Sequence, residues 1–212
     1  AHIYPDTVLY DPFCGSGTML IESAMHAMRI APGLRRRFAA EKWDWFPQTV
    51  WQQERQRAFD LIKRDATFRA YGSDIDPAAV ELAQYNAKQA GVGTRIEIVQ
   101  RDVKDFYMPD EKGVVICNPP YGERLLDLKT AQEIYETMGK VFSQGYPHRY
   151  YIISPDMEFE KSFGRMADKR RKLYNGMIPC QLYMYFKEEQ KKAPKPSRTK
   201  PYPDRRDHRI KK

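Results

Sequence analysis

The sequence predicts an α/β fold: a mostly parallel sheet of seven strands with helices on both faces, a C-terminal antiparallel hairpin strand and a helical insertion after the first helix. Three observations predict it. Short apolar runs alternate with stretches of helical period, the pattern of βαβ units. The last two apolar runs are separated only by a turn holding Gly176 and Pro179, the mark of a hairpin. The chain has 212 residues, 42% hydrophobic and 30% charged, enough for one domain with a substantial core.

Taken in order, the first strand is expected over 7–11. It enters the turn Asp11-Pro12-Phe13-Cys14-Gly15-Ser16-Gly17-Thr18, which opens a helix over 18–28. The second strand, 69–74, ends in Asp74-Ile75-Asp76-Pro77. Asp76 followed by proline reads as an N-cap with Pro at the first helical position, which starts a helix over 77–90. A third strand over 96–100 ends in Arg101-Asp102. The fourth, 114–118, is the apolar run Val114-Val115-Ile116-Cys117, stopped by Asn118-Pro119-Pro120-Tyr121. Two prolines cannot extend a ladder, because neither donates a backbone N–H and both fix φ. A helix over 130–144 and strands over 150–154, 171–175 and 180–186 complete the set.

The rhythm breaks at 30–68, which carries Arg35-Arg36-Arg37, all three tryptophans (Trp43, Trp45, Trp51) and a helical run from about 48 to 63. Two readings stand for this insertion. It is either a helical cap whose aromatics fill a satellite core, or a substrate-facing lobe where Arg and Trp meet nucleic acid by charge and stacking.

The formal net charge of +8 is unevenly placed: +7 of it lies in 187–212, a tail rich in Pro and charge, so 188–212 is expected to be disordered and 1–187 to be the folded domain. Such a tail attracts phosphate nonspecifically or simply solubilises. No apolar stretch approaches a membrane span, and Cys14, Cys117 and Cys180 are odd in number, which favours reduced thiols and a cytoplasmic location. The start, Ala1-His2-Ile3-Tyr4-Pro5, has neither Met nor a signal-peptide pattern and runs almost directly into a strand, as expected of a fragment of a longer protein.

The residues at the expected strand ends describe a binding site. Gly15 and Gly17 permit backbone conformations closed to other residues and let a ligand approach the main chain, with a helix N-terminus beside them. A dinucleotide loop would want a third glycine where Leu20 stands, and a phosphate-binding loop a Gly-Lys-Ser/Thr; neither is present. Asp74, at a strand's carboxyl end, suits a ribose diol, Ile75 the flank of an attached base, and Asp102 an adenine amino group. Asn118, the Pro119 carbonyl and the Tyr121 ring offer two acceptors and a flat surface, the groups that hold a planar exocyclic amine. Together they describe a site for S-adenosyl-L-methionine beside an amine. No His/Cys metal cluster is present in the sequence.

These motifs resemble the class I amino-methyltransferases, which have a Rossmann-like fold. More narrowly, with Gly122-Glu123-Arg124, Ala31-Pro32-Gly33, Glu41-Lys42-Trp43 and Tyr174-Asn175-Gly176, they resemble the catalytic domain of bacterial guanine-N2 methyltransferases that act on large-subunit ribosomal RNA and usually carry an RNA-binding THUMP domain. The resemblance implies that Asp11, Phe13, Gly15 and Gly17 line the methionine end of the cofactor, Asp74 the ribose, and Ile75 and Asp102 the adenine. It implies that Asn118, Pro119 and Tyr121 hold the target amine next to the cofactor, that Asn118 also belongs to the cofactor-binding residues, and that the partner is RNA. No upstream cofactor-covering helix or RNA-binding domain is present in the chain. The same tetrapeptide geometry serves DNA adenine-N6 methylation and protein glutamine methylation, and a noncatalytic RNA-binding module is a further alternative.

Overall fold

The computed structural model describes residues 2–108, 113–121, 128–143 and 149–186. The expected tail and Gly122-Glu123-Arg124 lie outside the described residues. Seven strands form one sheet: β1 (Val8–Asp11), β2 (Arg69–Asp74), β3 (Ile96–Gln100), β4 (Val114–Cys117), β5 (Arg149–Ser154), β6 (Lys169–Asn175) and β7 (Ile178–Tyr185), in the order β3-β2-β1-β4-β5-β7-β6. Pairing is parallel from β3 through β5, while β7 runs antiparallel to both β5 and β6. One reversed strand in an otherwise parallel sheet is what the hairpin reading requires.

Among the described residues five α-helices join the strands: α1 (Thr18–Ala27), α2 (Gln48–Asp60), α3 (Pro77–Gln89), α4 (Leu128–Phe142) and α5 (Phe159–Phe163). Strand alternation divides the core between two faces. Leu9, Ala70 and Ile98 pack with Leu20, Ala24, Val80 and Ala83 of α1 and α3. Tyr10, Val115, Cys117, Ile152, Tyr183 and Tyr185 point the other way, onto Tyr135, Met138 and Phe142 of α4 and Phe159 and Phe163 of α5. That second layer is aromatic, and three of its phenols end on carbonyl oxygens: Tyr150 on Phe142 at 2.6 Å, Tyr183 on Asp156 at 2.8 Å and Tyr185 on Arg165 at 3.2 Å. Each of these rings therefore buries its area without stranding a polar atom. α4 and α5 approach closely at Gly139, where a Cβ would stand 2.0 Å from the Phe163 carbonyl oxygen.

One boundary, the start of β7, differs from expectation in an instructive way. Pro179 lies inside β7, opposite Tyr174, and the turn is only Gly176-Met177. A proline is tolerated there because β5 ends at Ser154, opposite Gln181, so Pro179 has no ladder bond to give on that side. Gly176, at φ +61, supplies the first central position of a two-residue hairpin turn.

The insertion between α1 and β2 stands at the amino edge of the sheet. α1 begins at the carboxyl end of β1 and runs back along the sheet, and the Lys63 N–H closes onto the Met28 carbonyl at 2.7 Å. The insertion is held by polar bonds, with the Arg55 guanidinium donating to the Leu34 carbonyl at 2.7 Å and pairing with Glu41. Trp51 stacks on Phe38 and packs on Phe46, a small aromatic cluster. Trp43 and Trp45 stack on each other with their centroids 5.3 Å apart and remain 50% and 74% exposed. The satellite-core reading thus describes one tryptophan of the three, and the insertion lies on the opposite edge from the strand ends that carry the candidate site residues.

Candidate active site

The winding of the sheet reverses beside β1: the chain moves outward through β2 and β3, then returns to add β4 on the other side. The loops leaving β1 and β4 therefore diverge at the carboxyl edge and open a crevice, the usual ligand position in such sheets. Register fixes what lines it. Leu9 and Tyr10 pair in parallel with Val114 and Val115, so the loop after Asp11 and the Asn118 tetrapeptide leave neighbouring strands at the same edge. The Cys117 thiol is pushed up by burial and then by the charge of the Asp11 carboxylate, which ties the two strand ends together electrostatically.

The β1 loop is built around two carboxylates. Asp11 is 2% exposed, its Oδ1 accepts the Phe13 N–H at 3.1 Å, and burial drives its pKa up to about 7, partly offset by that hydrogen bond and reinforced by the charge of Asp74. A buried carboxyl with so little compensation is a ready partner for a cation. Asp74, at the end of β2, accepts the Gly15 N–H on Oδ2 at 2.9 Å and the Asp76 N–H on Oδ1 at 3.1 Å. It is thus a staple between the β1 and β2 loops, a role the sequence did not disclose. Each of its oxygens retains a further lone pair for a hydroxyl donor.

Gly15 and Gly17 both adopt positive φ, +50 and +82. Gly17 caps α1 in the left-handed conformation, and a Cβ there would stand 3.1 Å from the Ala83 Cβ. A Cβ at Gly15 would meet nothing within 4 Å, so the loop presents bare backbone to open space. Ile75 is 66% exposed beside Asp74, as suits a flank for a flat ring. Phe13 packs partly buried on the α4 side of the core and holds the loop down. Asp76 caps α3 through the Ala78 N–H at 2.9 Å, as its sequence predicts.

Asp102 sits at the end of β3, but its carboxylate is also engaged locally. Oδ1 accepts the Lys104 N–H at 3.0 Å and Oδ2 pairs with the Lys104 ammonium at 3.2 Å, which hold its pKa below the ordinary range. The sequence leaves a turn role and a ligand role both open for Asp102, because an Asx cap and a ligand carboxylate look alike in one dimension.

At β4 the tetrapeptide is gripped from two sides. The Tyr135 hydroxyl of α4 donates to the Pro120 carbonyl at 3.2 Å. Tyr121 donates its own hydroxyl to Asn118 Oδ1 and accepts the Asn175 side-chain N–H at 2.8 Å. The Tyr121 ring is half-buried and its pKa raised, first by burial. Asn175, at the end of β6, was noted in the sequence only for its resemblance; its contact with Tyr121 spans 54 residues and has no local signal.

A model of the RMKL-like methyltransferase domain matches residues 1–184. The chain belongs to that family. This methyltransferase domain is 41% identical over 182 residues to the ribosomal RNA large subunit methyltransferase K/L of Shewanella amazonensis, covering 84% of the chain and 26% of the relative. It is similar to the crystal structure of SMU.472 complexed with SAH, at 40% identity and a TM-score of 0.85 over 89% of this chain and 50% of that one. It is similar also to a Listeria monocytogenes protein described as a predicted N6-adenine-specific DNA methylase, at 43% identity and a TM-score of 0.81 over 87% and 48% of the two chains. The domain therefore spans half or less of the length of these relatives. Among its described residues no cluster of His, Cys, Asp and Glu could hold a metal ion, and no helix is long and apolar enough to cross a membrane.

Proposed function

We propose that this domain transfers a methyl group from S-adenosyl-L-methionine to an exocyclic amine of a nucleobase, guanine N2 in large-subunit ribosomal RNA. The observation that carries the reading is the acceptor group at the end of β4: the Asn118 side-chain oxygen, the Pro119 carbonyl and the half-buried Tyr121 ring, one strand away from the Gly15–Gly17 turn.

The residues present fit the cofactor. Asp11 supplies a buried, undercompensated carboxyl for an ammonium, Asp74 retains lone pairs for a ribose diol, exposed Ile75 offers an adenine flank, and Gly15 leaves its approach open. Asp102 would accept from the adenine amine beside its Lys104 contacts. When bound, the cofactor supplies an electrophilic methyl on a sulfonium. The chain's part is positioning and electrostatics. A purine amine is a poor nucleophile because its lone pair is delocalised into the ring. Hydrogen bonds from its two N–H groups to Asn118 Oδ1 and the Pro119 carbonyl favour pyramidalisation and localise that lone pair. Tyr121 stacks on a base that has left its helix.

RNA as substrate is supported by the name of the Shewanella relative and by the edge strand β6, where Lys169, Arg171, Lys172 and Tyr174 stand exposed on the hairpin that reaches Tyr121. A cationic strip with an exposed aromatic suits a nucleic-acid strand. Adenine N6 in DNA is the second reading, favoured by the description of the Listeria relative. Incubation with labelled cofactor and separate pools of ribosomal RNA, transfer RNA and DNA, followed by digestion to nucleosides, tests both. N2-methylguanosine from ribosomal RNA is the expected product. N6-methyladenine in DNA would replace the first reading by the second, and no labelled nucleoside from any pool would refute both.

A further inference from the structure

We propose that Asn175 is a positioning residue for the methyl transfer: from the tip of the C-terminal hairpin it fixes the Tyr121 hydroxyl and, through it, the Asn118 amide. The inference rests on the acceptor role given above to Asn118.

The hairpin overshoots the sheet. β5 ends at Ser154, opposite Gln181, yet β6 and β7 continue to pair through Leu173–Cys180, Tyr174–Pro179 and Asn175–Ile178. These pairs project about 10 Å past the end of β5, over the edge where β4 delivers its tetrapeptide. The tip of the overhang contributes little to packing: Tyr174, Asn175 and Met177 are exposed, and none belongs to either core cluster, while Cys180 at its base is buried. The overhang reaches Tyr121 from two residues: the Asn175 amide N–H donates to the hydroxyl at 2.8 Å, and the buried Cys180 thiol stands beside the same hydroxyl.

The direction of that bond matters. A phenol has one hydrogen to give and lone pairs to receive with. Because Asn175 donates into the phenol oxygen, the phenol's hydrogen is committed to Asn118 Oδ1. The amide of Asn118 is thereby held with its oxygen toward Tyr121, and that oxygen keeps a second lone pair for a substrate N–H. The Tyr121 ring is thereby fixed at its hydroxyl end. The backbone grip of Tyr135 on Pro120 sets where the tetrapeptide lies, and Asn175 sets which way its side chains turn.

The test compares Asn175→Ala and Asn175→Asp, each alone and with Tyr121→Phe, on the substrate identified from the pools, with kcat, RNA KM, cofactor affinity by calorimetry and Tm measured for each. Asn175→Ala is expected to lower kcat about tenfold, the value of one directed hydrogen bond, with cofactor affinity and Tm unchanged. Asn175→Asp keeps the shape but replaces the donor by an acceptor, which draws the phenol hydrogen away from Asn118, so kcat falls at least as far. In the Tyr121→Phe background neither change lowers kcat further. A wild-type kcat in Asn175→Asp, or an equal cost of Asn175→Ala in both backgrounds, overturns the proposal while leaving the methyltransferase reading intact. A wild-type protein that transfers no methyl to any pool removes the reading and this inference with it.

Discussion

Replacing Asp11 by Asn separates the cost of a buried carboxylate from its use. Asp11 is 2% exposed, with its pKa raised from 3.8 to about 7 by burial first, against the Phe13 hydrogen bond and with the Asp74 charge adding to it. Raising a carboxyl that far costs its anion about 4 kcal/mol. The native state holds its proton where the unfolded chain has lost it, so the contribution to stability is whole below pH 4, falls as pH rises and is gone above pH 7. Between pH 5 and pH 8 the wild-type protein should lose roughly 3 kcal/mol through this group alone, near 8 °C in Tm for a chain of this size. Asn keeps an oxygen for the Phe13 N–H and carries no charge. Asp11→Asn should therefore be the more stable protein by about 4 kcal/mol at pH 8 and by about 1–2 kcal/mol at pH 5, where the unfolded carboxyl has already lost its proton. Cofactor binding should move the opposite way: an ammonium beside Asp11 favours its anion, so wild-type affinity should fall up to tenfold per pH unit below about pH 7, and the Asn variant should bind weakly at every pH. Thermal unfolding and calorimetry across pH 5–8 measure both. If the two proteins show parallel stability profiles over that range, burial is not what sets the behaviour of Asp11.

Asn118→Ala should lower methyl transfer by a factor of about 100 to 1,000 while leaving cofactor affinity unchanged, since it removes an acceptor used in the transition state; turnover on the identified RNA against calorimetry separates the two. Gly139→Ala should destabilise by about 1–3 kcal/mol or more, because a Cβ there meets the Phe163 carbonyl, a backbone atom of α5; denaturant midpoints measure it. Asp76→Ala should cost about 1 kcal/mol, the loss of the α3 cap bond to Ala78, in the same assay. All three cysteines are buried, and burial pushes the Cys14 thiol up to about 12 and raises the Cys117 thiol as well, so a thiol reagent at pH 8 should label Cys14 and Cys117 only as the protein unfolds.

Much of this molecule is written locally. The apolar runs, the glycine turn after Asp11, the cap pair Asp76-Pro77 and the stop at Asn118-Pro119-Pro120 each depend on neighbours within a few residues, so the succession of strands, the hairpin and the candidate residues at four strand ends are legible in one dimension. Pairing across the fold is another matter. That Asp74 staples Gly15, that Asp102 turns to Lys104, that Asn175 reaches Tyr121 and that the insertion stands at the amino edge with Trp43 and Trp45 exposed were decided by the tertiary structure alone. The physical reason is range. Dihedral preferences and periodicity act along the chain, whereas a hydrogen bond between residues 54 or 59 positions apart, or the desolvation that lifts Asp11, exists only after the sheet has closed and removed the water.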